Sequence, residues 1–300
     1  MSSARIWMAI LVRAIITAIL VYSVVFLAFA VLPLDPARAV LGPLADERAV
    51  AAMNARFGFD APLPERMMRV AARMLHGDFG VSVVFGQPVA PLIAQALSTT
   101  LARLAVAVPV GAMGAIWLVP RIVTRNWRAA KLALLAAAAV PSFVLLALLL
   151  MIFSSFLSLA PSQARVLYEG LAILVAALVV TAAVSITLLD RLDFRSGRSR
   201  QADFLMLLGA PVARMMAILI RGAMPSALAA TANSVAPALT ALTFAEFVFG
   251  LPGFAVMFMR ACDNGDLAIV ALGSLVLAGI LAMVQGLADV AAARADRRLS

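Results

Sequence analysis

Six stretches of this 300-residue chain carry no formal charge and are long enough, or nearly so, to cross a bilayer. They are Ala14–Leu34, Leu104–Pro120, Leu132–Phe153, Gly170–Leu189, Ala223–Ala245 and Leu267–Ala288. A spanning helix needs roughly 20 apolar residues. The second stretch is short, so its helix is expected to start near Leu97 and to take in Arg103, whose long side chain can snorkel from the helix end. The composition agrees: 64% of residues are hydrophobic and 13% charged, against about a quarter charged in a soluble domain. The expectation is an all-α integral membrane protein with six transmembrane helices.

The formal net charge of +9 would suggest nucleic acid in a soluble protein. Here the positions of the charges explain it, and no nucleic-acid partner is expected. One set of loops holds Arg5 and Arg13; Arg121, Arg125, Arg128 and Lys131; the six arginines of residues 190–222; and Arg294, Arg297 and Arg298. The opposite set mixes Arg165 with Glu169, and Arg260 with Glu246, Asp263 and Asp266, while Pro33–Gln95 balances six basic against six acidic residues. Cytoplasmic loops are the ones rich in arginine and lysine. Six spans then put both termini in the cytoplasm. The basic 121–131 loop reads as a topology signal. The N-terminal apolar run is longer than a signal-peptide core and lacks a small-residue cleavage site, so it is expected to remain as the first span.

Several chemistries lack their residues. Lys131 is the only lysine and follows Arg-Ala-Ala, so it cannot complete a phosphate-binding P-loop. His76 is the only histidine and Cys262 the only cysteine. This chain alone therefore offers no Cys/His set for zinc or haem, no internal disulfide, and no cofactor is expected. The middles of the spans hold no Asp, Glu, Lys or Arg, the groups that ion-coupled carriers use. A membrane-embedded transferase would want clustered carboxylates for magnesium. The nearest pairs, Asp190 with Asp193 and Asp263 with Asp266, sit among arginines without a third member. No catalytic residue is expected. A transporter of this kind must take its power from a partner.

The predicted organisation is a cytoplasmic end and first span (1–34), an external helical segment (35–96), a five-helix core (97–290) and a cytoplasmic tail (291–300). In the external segment, ADERAVAAMNARFG and PERMMRVAARMLHG read as two amphipathic surface helices, the first with acidic residues where a helix N-terminus favours them. Within the core, the loop 190–222 stands out. It runs from Asp203 through Gly209 and a hydrophobic helix-like stretch to Pro225, and looks built to be held by another protein.

Several motifs together resemble the permease subunits of bacterial peptide and nickel ABC importers, specifically the first of the two permeases in such systems. They are PLDPA after the first span, FGFDAPLPERM, GDFGVSVVFGQPV, AVPSFVLL and AEFVFGLPGF, then Gln285, Asp289 and Asp296. Each is weak alone; the order and spacing are specific. The 190–222 loop is similar to the EAA motif of importer permeases. Asp203 falls at its Glu position, Phe204 and Leu205 at its two Ala positions, followed by Leu208, Gly209, Ala210 and Pro225. Bulky Phe204 and Leu205 depart from the small residues usual there, and Arg103 stands where the family often has an acidic residue.

The resemblance implies a type I importer permease in the bacterial inner membrane. Its partners would be a second homologous permease, two ABC ATPase subunits docked on the coupling loop, an extracytoplasmic substrate-binding protein and membrane lipid. Gly209 would permit a tight turn between two short helices, and apolar side chains on the loop would fill a groove on the ATPase. Glu246, Pro252 and Gly253 become candidates for an external gate. For Glu246 a solvated helix end is the plainer alternative. Pro225 and Pro237 could kink span five for gating or only for packing.

Overall fold

The structure, a computed structural model, describes residues 3–31, 36–42, 44–57, 61–125, 127–156, 164–192, 207 and 209–296. Among them the regular structure is helical, and the one β-bridge joins Val81 to Pro88. The helices are α1 (Ser3–Val31), α2 (Pro36–Leu41), α3 (Glu47–Phe57), α4 (Leu63–Leu75), α5 (Val89–Arg125), α6 (Arg128–Ala139) and α7 (Ser142–Met151), which runs on into a π-turn at Ile152–Phe156. They continue with α8 (Arg165–Leu192), α9 (Val212–Asn233), α10 (Val235–Phe249), α11 (Phe254–Asp263) and α12 (Leu267–Asp296).

Five apolar runs among the described residues are long enough to cross a membrane: Ile10–Phe29, Val89–Arg125, Arg165–Leu192, Arg214–Phe249 and Leu267–Leu287. A shorter apolar helix covers Ser142–Ser155. The stretch expected as the third span is thus divided. Proline lacks an N–H and drives the residue before it out of helical geometry, and the chain breaks at Val140–Pro141 between α6 and α7. The second span is longer than expected, because its helix begins at Val89. The fifth is two helices meeting at Ser234. Pro237 has no N–H to give the Asn233 carbonyl four residues back, and its ring crowds that carbonyl.

The chain forms two compact units. The first comprises residues 1–99 and 252–283. One of its core clusters is Phe26 of α1 with Leu267 and Ala271 of α12, covered by Tyr22, Val25, Phe29 and by Met67, Val70 and Met74 of α4. The Tyr22 hydroxyl donates to the Met67 carbonyl (2.7 Å), so the surface helix α4 is fixed to the first span by apolar contact and one hydrogen bond. The two expected external helices are α3 and α4; α2 and α11 are short helices outside that expectation.

The second unit comprises residues 100–251 and 284–300. Its centre is α8, against which α6, α7, α9 and α10 pack. Helix association in lipid relies on close backbone approach between small residues. Gly111 of α5 supplies it: a Cβ there would lie 2.4 Å from the Ala177 carbonyl oxygen of α8. The Thr181 hydroxyl donates to both Gly111 (3.0 Å) and Ala177 (2.8 Å) carbonyls at the same crossing.

Candidate functional site

Three spans of the second unit bring four charged residues to a common cluster. Arg103 of α5 lies 5% exposed. Its Nε and Nη2 donate to the two carboxylate oxygens of Glu169 on α8 (2.6 and 2.9 Å). Its Nη1 donates to Glu246 Oε1 on α10 (2.6 Å). The Thr100 hydroxyl, one helical turn before Arg103, donates to that same oxygen (2.6 Å), and Arg165 approaches Glu169 at 3.7 Å. A planar guanidinium suits this role because its donors fork toward carboxylate oxygens. Two arginines face two glutamates, so the cluster is neutral as a whole.

The cluster corrects two expectations. Arg103 does not snorkel; it is held by carboxylates because its partners lie beside it rather than in the interfacial water. Glu246 is not a solvated helix end; it is fully buried. The helix stops just beyond it. Gly250 adopts φ 63°, and the Leu251 N–H returns to the Glu246 carbonyl (2.9 Å) while the Gly250 N–H reaches that of Phe247 (3.3 Å). This is the paired C-terminal capping of a Schellman turn, which a glycine enters without a Cβ penalty. Pro252 follows, as a residue that cannot continue the helix, and Gly253 is extended before α11. Pro252 and Gly253 belong to the first unit and Glu246 to the second.

A second polar centre, unforeseen from sequence, lies in the first unit. Asp266 is fully buried and precedes α12. Its Oδ1 accepts the Ile269 N–H (3.3 Å), an N-cap bond. Its Oδ2 accepts the buried Ser82 hydroxyl (2.5 Å) and the Val84 N–H (3.2 Å), and Ser82 Oγ accepts the Phe85 N–H (2.9 Å). The turn within GDFGVSVVFGQPV is therefore anchored to the start of the last span. Serine before a bend and aspartate before an apolar helix were the available signals; nothing local joined them. Asp266, weighed above as half of a magnesium pair, has both oxygens committed to this anchor.

On the expected coupling loop, Asp203, Phe204, Leu205 and Leu208 lie outside the described residues. Leu207 is 86% exposed. Gly209 turns the chain at φ 65°, Ala210 follows, and Pro211 leads into α9. Pro225 lies within α9 without ending it. Beyond the turn, Met215, Met216, Leu219 and Ala223 are buried, while Arg214 and Arg221 are exposed.

Taken together, the helices define a multi-pass membrane protein. The chain belongs to the family of binding-protein-dependent transport system inner membrane components, whose model matches residues 107–300. Over nearly all of its length it is similar to the "Probable peptide ABC transporter permease protein y4tP" of Sinorhizobium fredii, 27% identical over 309 residues and covering 96% of this chain and 97% of the relative. Over a shorter part it is similar to the glutathione transport system permease protein GsiC. The Salmonella paratyphi A protein is 40% identical over 85 residues, 28% of each chain. The Escherichia coli K12 protein is 38% identical over 85 residues, again 28% of each.

Proposed function

We propose that this chain is the permease subunit of an ABC importer for peptides or related small solutes, working with a sister permease, two cytoplasmic ATPases and an extracytoplasmic binding protein. Both termini lie in the cytoplasm, residues 35–96 form the external segment, and 97–290 form the permease core. The names of the similar permeases support the cargo class: one relative is described for peptides and another for glutathione, itself a tripeptide.

The observation that carries the coupling role is Leu207, a leucine 86% exposed two residues before the Gly209 turn on an arginine-rich loop. Burying one such side chain in a partner groove contributes about 1.5–3 kcal/mol. With Asp203, Phe204, Leu205, Leu208 and Ala210, it would grip the ATPase. Nucleotide-driven closure of the ATPases then shifts the permease between two packings. Glu246, Pro252 and Gly253 would stand at the external gate.

The test is uptake by the whole transporter in vesicles. Gly209→Pro and Asp203→Arg should abolish ATP-driven uptake while the chain remains inserted, and Leu207→Cys should crosslink to the ATPase. Normal uptake in both variants counts against the coupling loop. Uptake that persists on a proton gradient with an inactivated ATPase replaces this reading with a secondary carrier. Tags on both termini should be reached only from the cytoplasmic side.

A further inference from the structure

The end of α5 carries a feature that a topology signal does not need. Trp117, Arg121 and Arg125 follow one another at four-residue spacing, so they share one helix face. The Arg121 guanidinium lies 3.7 Å from the centre of the Trp117 ring, and its Nη1 donates to the Trp117 carbonyl (2.6 Å). One turn on, the Arg125 guanidinium stands 5.0 Å from the centre of the Trp127 ring. Trp127 is tied back by its N–H to the Ile122 carbonyl (3.1 Å), and the exposed Arg128 begins α6, with Lys131 one turn further. Trp117 and Trp127 are 61% and 44% exposed. In the sequence no acidic residue occurs between Asp78 and Glu169.

We propose that this corner binds the phosphate headgroup of an anionic phospholipid. Stacking covers one face of a guanidinium and leaves its in-plane N–H donors, apart from the Arg121 Nη1 donor held by the Trp117 carbonyl, to meet phosphate oxygens in pairs. Charge alone would orient the chain; rings that hold the charges in place add a preformed site. The apolar neighbours Met113 on α5 and Leu132 on α6 are 61% and 66% exposed, offering surface for acyl chains beside the headgroup. Basic groups next to a membrane helix attract anionic lipid. This inference rests on the chain spanning a membrane and not on what it transports, so uptake measurements leave it untouched.

Native mass spectrometry of the purified full chain reads it directly, with phosphatidylglycerol as the probe and phosphatidylethanolamine as the neutral-headgroup comparison. The wild-type chain should retain phosphatidylglycerol preferentially. Arg121→Gln with Arg125→Gln should weaken that retention roughly tenfold or more. Arg48→Gln with Arg260→Gln, which removes the same charge elsewhere, should not. Trp117→Leu keeps every charge and should still weaken retention roughly threefold, an effect a topology signal cannot produce. Should the double variant misfold, Arg125→Gln alone serves for the comparison. Equal retention of the two lipids, unchanged retention in both the Arg and the Trp variants, or displacement of lipid by millimolar inorganic phosphate would each overturn the proposal.

Discussion

Arg103 and Glu246 are 143 positions apart in sequence, yet the guanidinium Nη1 donates to the carboxylate Oε1 at 2.6 Å, where both side chains are almost wholly buried. A buried pair costs desolvation to form, and losing one member leaves the other charged and alone. Arg103→Gln should therefore lower the stability of the chain by about 3–5 kcal/mol, and Arg103→Lys should rescue only part because it cannot fork to Glu169 and Glu246 together. Thermal unfolding of the detergent-purified subunit measures both. A midpoint unmoved in Arg103→Gln would mean the cluster contributes nothing to the fold.

The anchor between Ser82 and Asp266 makes a separate expectation. Asp266→Ala removes the cap of α12 and strands two donors of the turn, so it should cost about 1–3 kcal/mol. Ser82→Ala, which removes one hydroxyl, should cost less. Hydrogen exchange should rise in residues 81–86 in both variants. Protection that stays at the wild-type level in Asp266→Ala would contradict the anchoring role.

Gly111 is a position where added volume has nowhere to go. Its hypothetical Cβ lies 2.4 Å from the Ala177 oxygen and 2.6 Å from Val180 Cβ, whereas at Gly114 the closest atom is Thr181 Oγ1 at 3.2 Å. Gly111→Leu should separate α5 from α8 and sharply reduce the yield of monodisperse protein; Gly114→Ala should be mild. Size-exclusion profiles that rank the two in the opposite order would refute this packing.

Acid should loosen the turn after α4. The Arg73 Nε donates to Asp78 (2.8 Å), and that bond, with the Gly80 N–H, holds the Asp78 carboxyl below its ordinary value of 3.8. A depressed folded-state value favours the folded turn at every pH above the unfolded value and loses that advantage as pH falls through the folded one. Protection in residues 76–80, corrected for the intrinsic pH dependence of amide exchange, should therefore be flat above about pH 5 and fall as pH drops below the ordinary carboxyl value. Asp78→Asn should show the faster exchange near neutral pH, and its difference from the wild type should close as acid protonates Asp78.

The long spans were legible because absence of charge over about 20 residues leaves a chain few alternatives. The resemblance carried by AEFVFGLPGF and its companion motifs led to the family that the match over residues 107–300 establishes. Helix boundaries were less legible where they were judged by charge. The helix of α5 starts at Val89 because VAPLIAQALSTT is helix-compatible though partly polar. Pro141 belongs to the AVPSFVLL motif, and its local effect is to divide an apolar stretch that absence of charge makes look continuous.

The ion cluster was hidden for a different reason. Arg103, Glu169 and Glu246 stand on three separate spans, and sequence gives no register between helices that meet only in three dimensions. Sequence alone therefore leaves Arg103 to snorkel and Glu246 open between a gate and a solvated helix end, although each is the other's neighbour. The Asp266 anchor has the same origin: two local signals separated by 184 residues.

That separation sets a timetable for biogenesis. Ser82 leaves the ribosome long before Asp266 is made, and at 5–20 residues per second the gap is roughly 10–40 s. Throughout that interval the turn has no carboxylate to close upon. A nascent chain arrested before α12 should expose it to proteases that spare the finished protein, so insertion of the last helix is also the step that locks a loop translated near the beginning.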